Sequence, residues 1–203
     1  MLWYQSIPLW FQKIFPKLVW QKSNTNRTVF LTFDDGPHPE ITPWVLQQLD
    51  TFGAKATFFC VGENVLKYSD TYQTILAQGH KTGNHTMHHI KGWKTGTDTY
   101  LDNIKQCSKL VKSNLFRPPY GRIKSKQVIA IGNTYDIIMW SLLSCDFDKN
   151  LDTKKALAGL KRKTKSGSII VFHDSVKAEK NLKEMLPLYL HYLNDKGFNC
   201  KVL

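Results

Sequence analysis

Two histidines and two carboxylates are the residues of this sequence best suited to carry chemistry. His85 is followed by His88 and His89, at spacings of three and four, and Asp34 and Asp35 are adjacent. On a helix, either histidine spacing would place two imidazoles on one face, where they could share a metal ion. One aspartate would complete a two-histidine, one-carboxylate set, and the other would remain for proton transfer.

Each candidate also has an ordinary interpretation. Gly36-Pro37 follows the aspartates and predicts a turn, although a turn does not require two acids directly after a buried strand. Arg117, held by two following prolines, could lower the pKa of a nearby carboxylate and fix its rotamer, or form only a surface ion pair. His173 ends a very apolar run, where a histidine is more often a hydrogen-bonded core group than a catalyst.

Strand-like runs alternate with helical patterns from residue 28 onward. Such alternation predicts βα units around a parallel sheet, either an open doubly wound sheet or a closed barrel. The seven predicted strands are residues 29–33, 56–61, 80–84, 115–117, 136–140, 168–172 and 198–203. The predicted helices are residues 42–52, 98–112, 125–131, 153–163 and 179–196, with one more that ends at residue 78. Thr42 is the expected N-cap of the first helix, and Pro187 predicts a kink in the last.

Polar residues follow five of these strands. Besides the aspartates, they are Asn84-His85, Arg117 to Tyr120, the stretch 144–148, and His173-Asp174. The carboxyl ends of parallel strands meet at one edge, which is where active sites form in α/β folds. The ordinary polarity of loops does not explain five such clusters at one edge, so we expect an active site there.

The overall charge and composition narrow the class of protein. With 203 residues and 42% apolar residues, the chain fits one ordinary globular domain. The net charge, 28 − 16 = +12, suits nucleic acid, an acidic glycan or an anionic membrane, or solubility alone. No recognition motif accompanies the charge, so we expect no nucleic-acid partner.

Two further features of the composition exclude other classes of protein. The sequence contains no uncharged apolar stretch of about 18 residues, so it predicts no transmembrane helix. Four dispersed cysteines without CxxC spacing argue against a zinc ribbon or a redox pair and predict reduced thiols.

The amino-terminal segment is aromatic and basic. Residues 1–20 hold three of the six tryptophans, with Lys13 and Lys17 among them. Lysines and prolines inside the run, and the lack of a small-residue cleavage site, argue against a signal peptide. We therefore expect a cytoplasmic protein, with a position at the inner membrane face as the variant of this expectation. We expect residues 1–27 to pack on a single domain of residues 28–203. A membrane-surface element is the alternative.

Four stretches of the chain resemble the signatures of a known family, in the family's order. They are Thr32-Phe33-Asp34-Asp35-Gly36-Pro37, His85-Thr86-Met87-His88-His89, Arg117-Pro118-Pro119-Tyr120 and Val171-Phe172-His173. The family is that of the polysaccharide deacetylases, carbohydrate esterase family four. The resemblance spans residues 32 to 173, and it implies a deformed seven-stranded (β/α) barrel.

The resemblance also implies roles for individual residues. Asp35, His85 and His89 would bind one divalent metal ion, with zinc expected, and His88 would stay outside the coordination sphere. Asp34 would be the general base, steadied by Arg117, and His173 the general acid. Tyr120 would offer its backbone N–H to the oxyanion. The expected substrate contacts are Pro118, Pro119, Tyr120, Phe147 and Val171.

The fourth signature of the family, Asp-x-x-Asp-Trp, is changed. Leu143 stands in place of the first aspartate and Phe147 in place of the tryptophan, whereas Asp146 keeps the aspartate that pairs with the acid histidine. Val171 replaces the leucine that lines the acetyl pocket. The resemblance therefore implies intact reaction chemistry and an altered substrate wall.

The expected function is metal-dependent removal of acetyl groups from an N-acetylated amino sugar or glycan. Amide hydrolysis needs a polarised carbonyl, an activated water and a proton for the leaving amine, which the metal, Asp34 and His173 would supply. The alternatives are a catalytically weak glycan-binding module on the same scaffold, an O-acetyl esterase or a ring-amide hydrolase.

Overall fold

One curved sheet of nine strands forms the centre of the computed structural model, which describes residues 6–23 and 26–203. All pairings between these strands are parallel. The strands are β1 (Leu18–Val19), β2 (Thr28–Asp34), β3 (Ala56–Cys60), β4 (Lys81–Asn84), β5 (Leu115–Phe116), β6 (Asp136–Ile138), β7 (Leu142–Leu143), β8 (Ile169–His173) and β9 (Asn199–Cys200).

The strand order identifies a barrel. The order is β1-β6-β5-β4-β3-β2-β8-β7, with β9 beside β2. Strands β2 to β6 lie in chain order, and the pairing of β8 with β2 is the step by which a barrel joins its last strand to its first. Among the strands of the described residues, the ring is broken between β6 and β7, which three residues connect without a helix. The expected deformed (β/α) barrel is confirmed, and the open doubly wound alternative is not adopted.

Eight α-helices and two 3₁₀ helices, Gly92–Lys94 and Pro119–Gly121, accompany the sheet in the described part of the chain, and only the α-helices are numbered. They are α1 (Leu9–Ile14), α2 (Ile41–Thr51), α3 (Gly62–Lys67), α4 (Ser69–Ala77), α5 (Thr97–Ser108), α6 (Ser125–Ile131), α7 (Thr153–Lys163) and α8 (Glu179–Asp195). The bounds of α6 and α7 match the prediction. The helix expected to end at residue 78 is instead two helices, divided at Tyr68, whose φ of −127° is not helical. None of the described helices combines the length and apolar character that a bilayer crossing requires.

Thr42 does not cap α2 as predicted, because the helix begins one residue earlier and its N-cap is Glu40. The hydroxyl of Thr42 instead accepts the N–H of His38 at 2.8 Å and donates to the Asp174 carboxyl at 2.5 Å. The residue therefore ties α2 to the carboxyl end of β8.

The central strands are buried on both faces. All seven residues of β2 are buried, and the ring of Phe33 stacks on Phe58 and Phe172 of the two flanking strands, with centroids 5.0 and 6.1 Å apart. Full burial of one such side chain stabilises the fold by about 1.5–3 kcal/mol. This packing holds the ends of β2 and its neighbours in fixed register.

The amino-terminal segment lies across the break in the barrel. Strand β1 pairs with β6, while Ser6 forms a bridge to Leu142 of β7 and Gln21 a bridge to Ser168. Trp20 is only 6% exposed. Residues 1–5 and 24–25 of the predicted 1–27 segment lie outside the described residues. The two-residue strands β1 and β7 were not predicted, since neither has a run long enough to show a period.

Candidate active site

A cavity of about 780 Å³ opens at the carboxyl edge of the sheet and collects most of the predicted residues. Asp34 ends β2 and His173 ends β8, and these two residues are partners in the register of the two strands. His85 directly follows β4, and Tyr120 lies just beyond β5. Both line the cavity together with the two aspartates and His89.

Asp34 is held by a fully buried arginine. The Arg117 Nη1 donates to Asp34 Oδ1 at 2.6 Å and to the Thr32 hydroxyl at 2.7 Å. Its Nε and Nη2 donate to the carbonyl oxygens of Ile138 and Met139. Burial lowers the pKa of Arg117, an effect that the Asp34 carboxylate opposes. The surface ion pair considered from the sequence is therefore excluded, and the arginine fixes the orientation of this carboxylate.

Asp35 points to the two histidines. Its Oδ1 lies 3.0 Å from Nε2 of His89 and 3.7 Å from Nε2 of His85. Burial would raise the pKa of Asp35, but the interactions with the neighbouring imidazoles outweigh it and hold the pKa well below its ordinary value. The donor atoms of the three residues all lie within 4.8 Å of one another.

The orientation of His85 suits a metal ligand. Its Nδ1 lies 2.7 Å from the carbonyl oxygen of Arg117, which can only accept a hydrogen bond, so Nδ1 carries the proton. The lone pair then lies on Nε2, which faces Asp35. Such a hydrogen bond commonly orients metal-bound histidines. The donor set, the spacing and this tautomer together fit a divalent cation at Asp35, His85 and His89.

The histidines do not lie on a helix, and the reasoning from helical spacing was wrong. Residues 85–91 form a loop after β4, in which Thr86 and His89 have left-handed φ values of 65° and 51°. Asn103 of α5 accepts the backbone N–H groups of Met87 and His88 and so fixes the loop. The side chain of His88 turns outward to Glu63, at 3.2 Å.

Backbone strain is concentrated at this edge. Among the described residues, six other than glycine have a left-handed φ, and five of them lie on the loops of the cavity edge: Asp35, Thr86, His89, Tyr120 and Cys145. Such conformations cost of order 1–3 kcal/mol each and cluster at functional sites.

His173 forms a second charged pair. Its Nδ1 lies 2.7 Å from Asp146 Oδ1, and its backbone N–H donates to Oδ2 of the same carboxylate at 2.8 Å. Burial would lower the pKa of His173, but the charge and hydrogen bond of the fully buried Asp146 outweigh it and raise the pKa to about 9. At neutral pH this imidazole is therefore protonated and able to donate.

The wall of the cavity contains some of the predicted substrate contacts. Tyr120, Phe147, Val171 and also Leu143 line it. The ring of Phe147 meets His173 edge-on, with centroids 5.1 Å apart. Pro118 and Pro119 are buried and are not among the lining residues, in contrast to the prediction for them. Their rigid backbone shapes the loop that presents Tyr120.

Asp174 is a cavity residue that the sequence reasoning did not assign. It is fully buried, its Oδ1 accepts the N–H of Gly36 at 3.1 Å, and burial raises its pKa to about 8. A Cβ at Gly36 would lie 2.1 Å from Asp174 Oδ2, which explains the glycine after the two aspartates. The sequence offered one signal that could have identified Asp174 as a cavity residue, namely its position directly after His173 at a strand end. Asn103 gave no comparable signal, since its contact depends on tertiary structure.

The fold is a deformed (β/α) barrel. Its site combines a cluster of two histidines and one carboxylate that could bind a metal ion with a separate candidate base, Asp34, and a separate candidate acid, His173. The model of the polysaccharide deacetylase family matches residues 21–139. A peptidoglycan-N-acetylglucosamine deacetylase of Bacillus cereus is 32% identical over 190 residues, which cover 89% of this chain and 88% of that protein. This chain belongs to the polysaccharide deacetylase family.

Two further comparisons agree with this assignment. The peptidoglycan-N-acetylglucosamine deacetylase PgdA of Listeria monocytogenes is 35% identical over 186 residues, which are 87% of this chain but 38% of that protein, so the chain spans little more than a third of the Listeria relative. The crystal structure of the Bc1960 peptidoglycan N-acetylglucosamine deacetylase superposes with a TM-score of 0.87 at 28% identity and covers 97% of this chain and 95% of that one.

Proposed function

We propose that this chain is a metal-dependent deacetylase that hydrolyses the N-acetyl amide of an amino sugar in a glycan and releases acetate. The observation that carries the proposal is the meeting of Asp34 and His173, as register partners, in the cavity that also holds the Asp35–histidine cluster. One cavity thus offers a proton acceptor, a proton donor and a cation site.

The cation site has one defined task. A divalent ion held by Asp35, His85 and His89, which we propose to be zinc, would polarise the acetyl carbonyl and lower the pKa of water. The donor set is compatible with zinc, because imidazole nitrogen and carboxylate oxygen are both among its usual ligands.

The protein side chains carry the protons. Arg117 engages Oδ1 of Asp34, which leaves Oδ2 to accept a proton from the water that attacks the acetyl carbon. When the carbon–nitrogen bond breaks, protonated His173 donates to the amine, and Asp146 stabilises the imidazolium until then. The backbone N–H of Tyr120 is the proposed donor to the oxyanion, and it lies on a turn with a left-handed φ of 60°.

The proposed substrate is a glycan that contains N-acetylglucosamine. The names of the relatives support this class, since they are peptidoglycan-N-acetylglucosamine deacetylases and, at 29% identity, a chitooligosaccharide deacetylase of Bradyrhizobium. Leu143 and Phe147 on the cavity wall favour a second candidate, a module that binds glycans with little catalysis.

Acetate release from N-acetylated chitooligosaccharides and peptidoglycan fragments, with the protein loaded with zinc, tests the proposal. We expect release by the unaltered chain and release slowed by at least about a hundredfold in Asp34→Asn. Binding of these glycans without acetate release would favour the binding module. Release from O-acetylated glycans alone would favour the esterase.

A further inference from the structure

A second cavity of about 690 Å³ lies beside the catalytic cavity, and apolar side chains form most of its wall. The wall combines residues 14–18 of the amino-terminal segment with Trp93 and one face of α6. We call this cavity the apolar groove; its main apolar residues are Ile14, Phe15, Trp93, Val128, Ile129 and Met139.

Several of these side chains are exposed although they are large and apolar. Ile14 is 57% exposed, Trp93 58% and Ile129 65%. Single exposed apolar residues are ordinary on protein surfaces, but a contiguous group marks a binding surface. These three line one cavity, so the groove is a candidate site for an apolar ligand.

The groove adjoins the catalytic cavity at Gly121, which lines both. A Cβ at Gly121 would lie 2.5 Å from the Trp140 ring, in the wall of the catalytic cavity, and 3.3 Å from the Met139 methyl group, in the groove. The φ of Gly121 is +65°, which also favours glycine. The partition between the two cavities is therefore thin: it consists of the Gly121 backbone with the Trp140 and Met139 side chains packed against it, so one ligand could occupy both cavities by passing over this edge.

One cationic side chain follows Gly121 in the chain, and two more line the groove. Arg122 lines the catalytic cavity, and its guanidinium lies 5.1 Å from the ring centroid of Trp93, which lines the groove. The indole is fixed in turn by its Nε1, which donates to the Ile123 carbonyl at 3.0 Å. Lys17 and Lys124 line the groove, and none of the described residues along it is acidic. An anionic group would be favoured between the two cavities.

We propose that the apolar groove binds the hydrocarbon chain of an amphiphilic substrate. The acetylated amino sugar would occupy the catalytic cavity, an anionic linker would meet Arg122, and the chain would lie on Trp93 and Ile129. The identity of the sugar end rests on the proposed function, whereas the site for the chain rests on the groove itself.

Calorimetric binding to the full chain tests the proposal without requiring turnover. The probes are the methyl glycoside, the octyl glycoside and the octyl phosphodiester of N-acetylglucosamine, each below its micelle concentration. A buried methylene group contributes a factor of roughly four in affinity, so burial of only two predicts octyl binding at least about tenfold tighter than methyl. The phosphodiester should bind more tightly still.

Single variants test which residue causes each gain in affinity, that from the octyl chain and that from the phosphodiester. Ile129→Ser should remove the octyl preference, and Arg122→Gln should remove the gain from the phosphodiester. Leu188→Ser is the matched control, since Leu188 is similarly exposed on α8 and lines neither cavity, and it should change neither ratio.

Equal affinities for methyl and octyl glycosides, no binding of either, or an octyl preference that survives Ile129→Ser would overturn the proposal. So would a dimer of the unaltered chain that Ile129→Ser dissociates, because the groove would then be covered by a second copy. Octyl-selective binding without acetate release would leave the groove assignment standing and refute the proposed function instead.

Discussion

Asp146 Oδ1 lies 2.7 Å from His173 Nδ1, and the same carboxylate accepts the backbone N–H of His173 through its other oxygen. Asp146 is fully buried, so its charge acts on the imidazole with little screening. The pair connects the loop after β7 to the end of β8. It determines both the direction of the imidazole ring and its charge.

The first prediction concerns the pH dependence of this pair. The pKa of His173 is about 9, and the general acid is the protonated form, so kcat should fall as the pH rises through about 9. In Asp146→Asn only the charges of Asp35 and Asp34 still oppose the effect of burial on His173, so the alkaline limb of the pH profile should move to lower pH. Asp148→Asn, a change at an exposed residue of the same loop, should leave the limb in place. If the alkaline limb does not move in Asp146→Asn, then the limb does not report the titration of His173.

The second prediction separates the two adjacent aspartates. Asp34→Asn should keep the metal and lower kcat by roughly 10²–10⁴-fold, the usual contribution of a general base. Asp35→Asn should bind the metal less tightly, and excess metal should restore part of its activity. Metal content of the two purified variants is the measurement. Loss of metal from Asp34→Asn, with retention by Asp35→Asn, would reverse the assigned roles.

The third prediction concerns the three histidines of one loop. His85→Ala and His89→Ala should each reduce the zinc retained after dialysis, because each removes a ligand nitrogen that faces Asp35. His88→Ala should retain zinc as the unaltered chain does, since its side chain is 51% exposed and contacts Glu63. Equal losses in all three variants would show that the loop matters for its fold and not for its donor atoms.

The fourth prediction concerns stability and Asp174. The pKa of this carboxyl is about 8 in the folded chain against an ordinary 3.8, so between these values the folded chain binds more protons than the unfolded chain. The free energy of unfolding should therefore fall as the pH rises from about 4 to about 8. Asp174→Asn imitates the protonated carboxyl and should reduce this fall in urea titrations of the metal-free protein. Asp102→Asn, at an exposed position of α5, should keep it, and an equal slope in all three proteins would refute the assignment.

The fifth prediction tests whether the amino-terminal segment packs on the barrel. Trp20→Ala should lower the free energy of unfolding by about 3–5 kcal/mol, the usual cost for a buried tryptophan. Ile14→Ala, at a position more than half exposed in the same segment, should cost far less. Chemical denaturation of both variants is the measurement. Equal small effects would mean that the segment contributes little to the fold.

Much of the fold was predictable because its signals are local. The apolar runs around Phe33 and Phe172 are continuous, as expected for strands buried on both faces, and glycines close several helices. The strand β7 and the division of one helix at Tyr68 were missed, since each depends on a few residues whose conformation is determined by neighbours distant in sequence. Thr42 was assigned a local capping role, but the long-range bond to Asp174 prevailed.

The sequence alone determined which residue types stand at the strand ends and in what order, so Asp34, Asp35, the histidines and Arg117 were identifiable before any coordinates. Which atoms meet became visible only in the folded chain: Arg117 is buried on Asp34, Asp35 turns to His85 and His89, and Gly121 lies between two cavities. The physical reason is distance along the chain. Strand and helix periods are read within a few residues, whereas the pairs that make the site, such as Asp34 with Arg117, are 83 residues apart and meet only when the barrel closes.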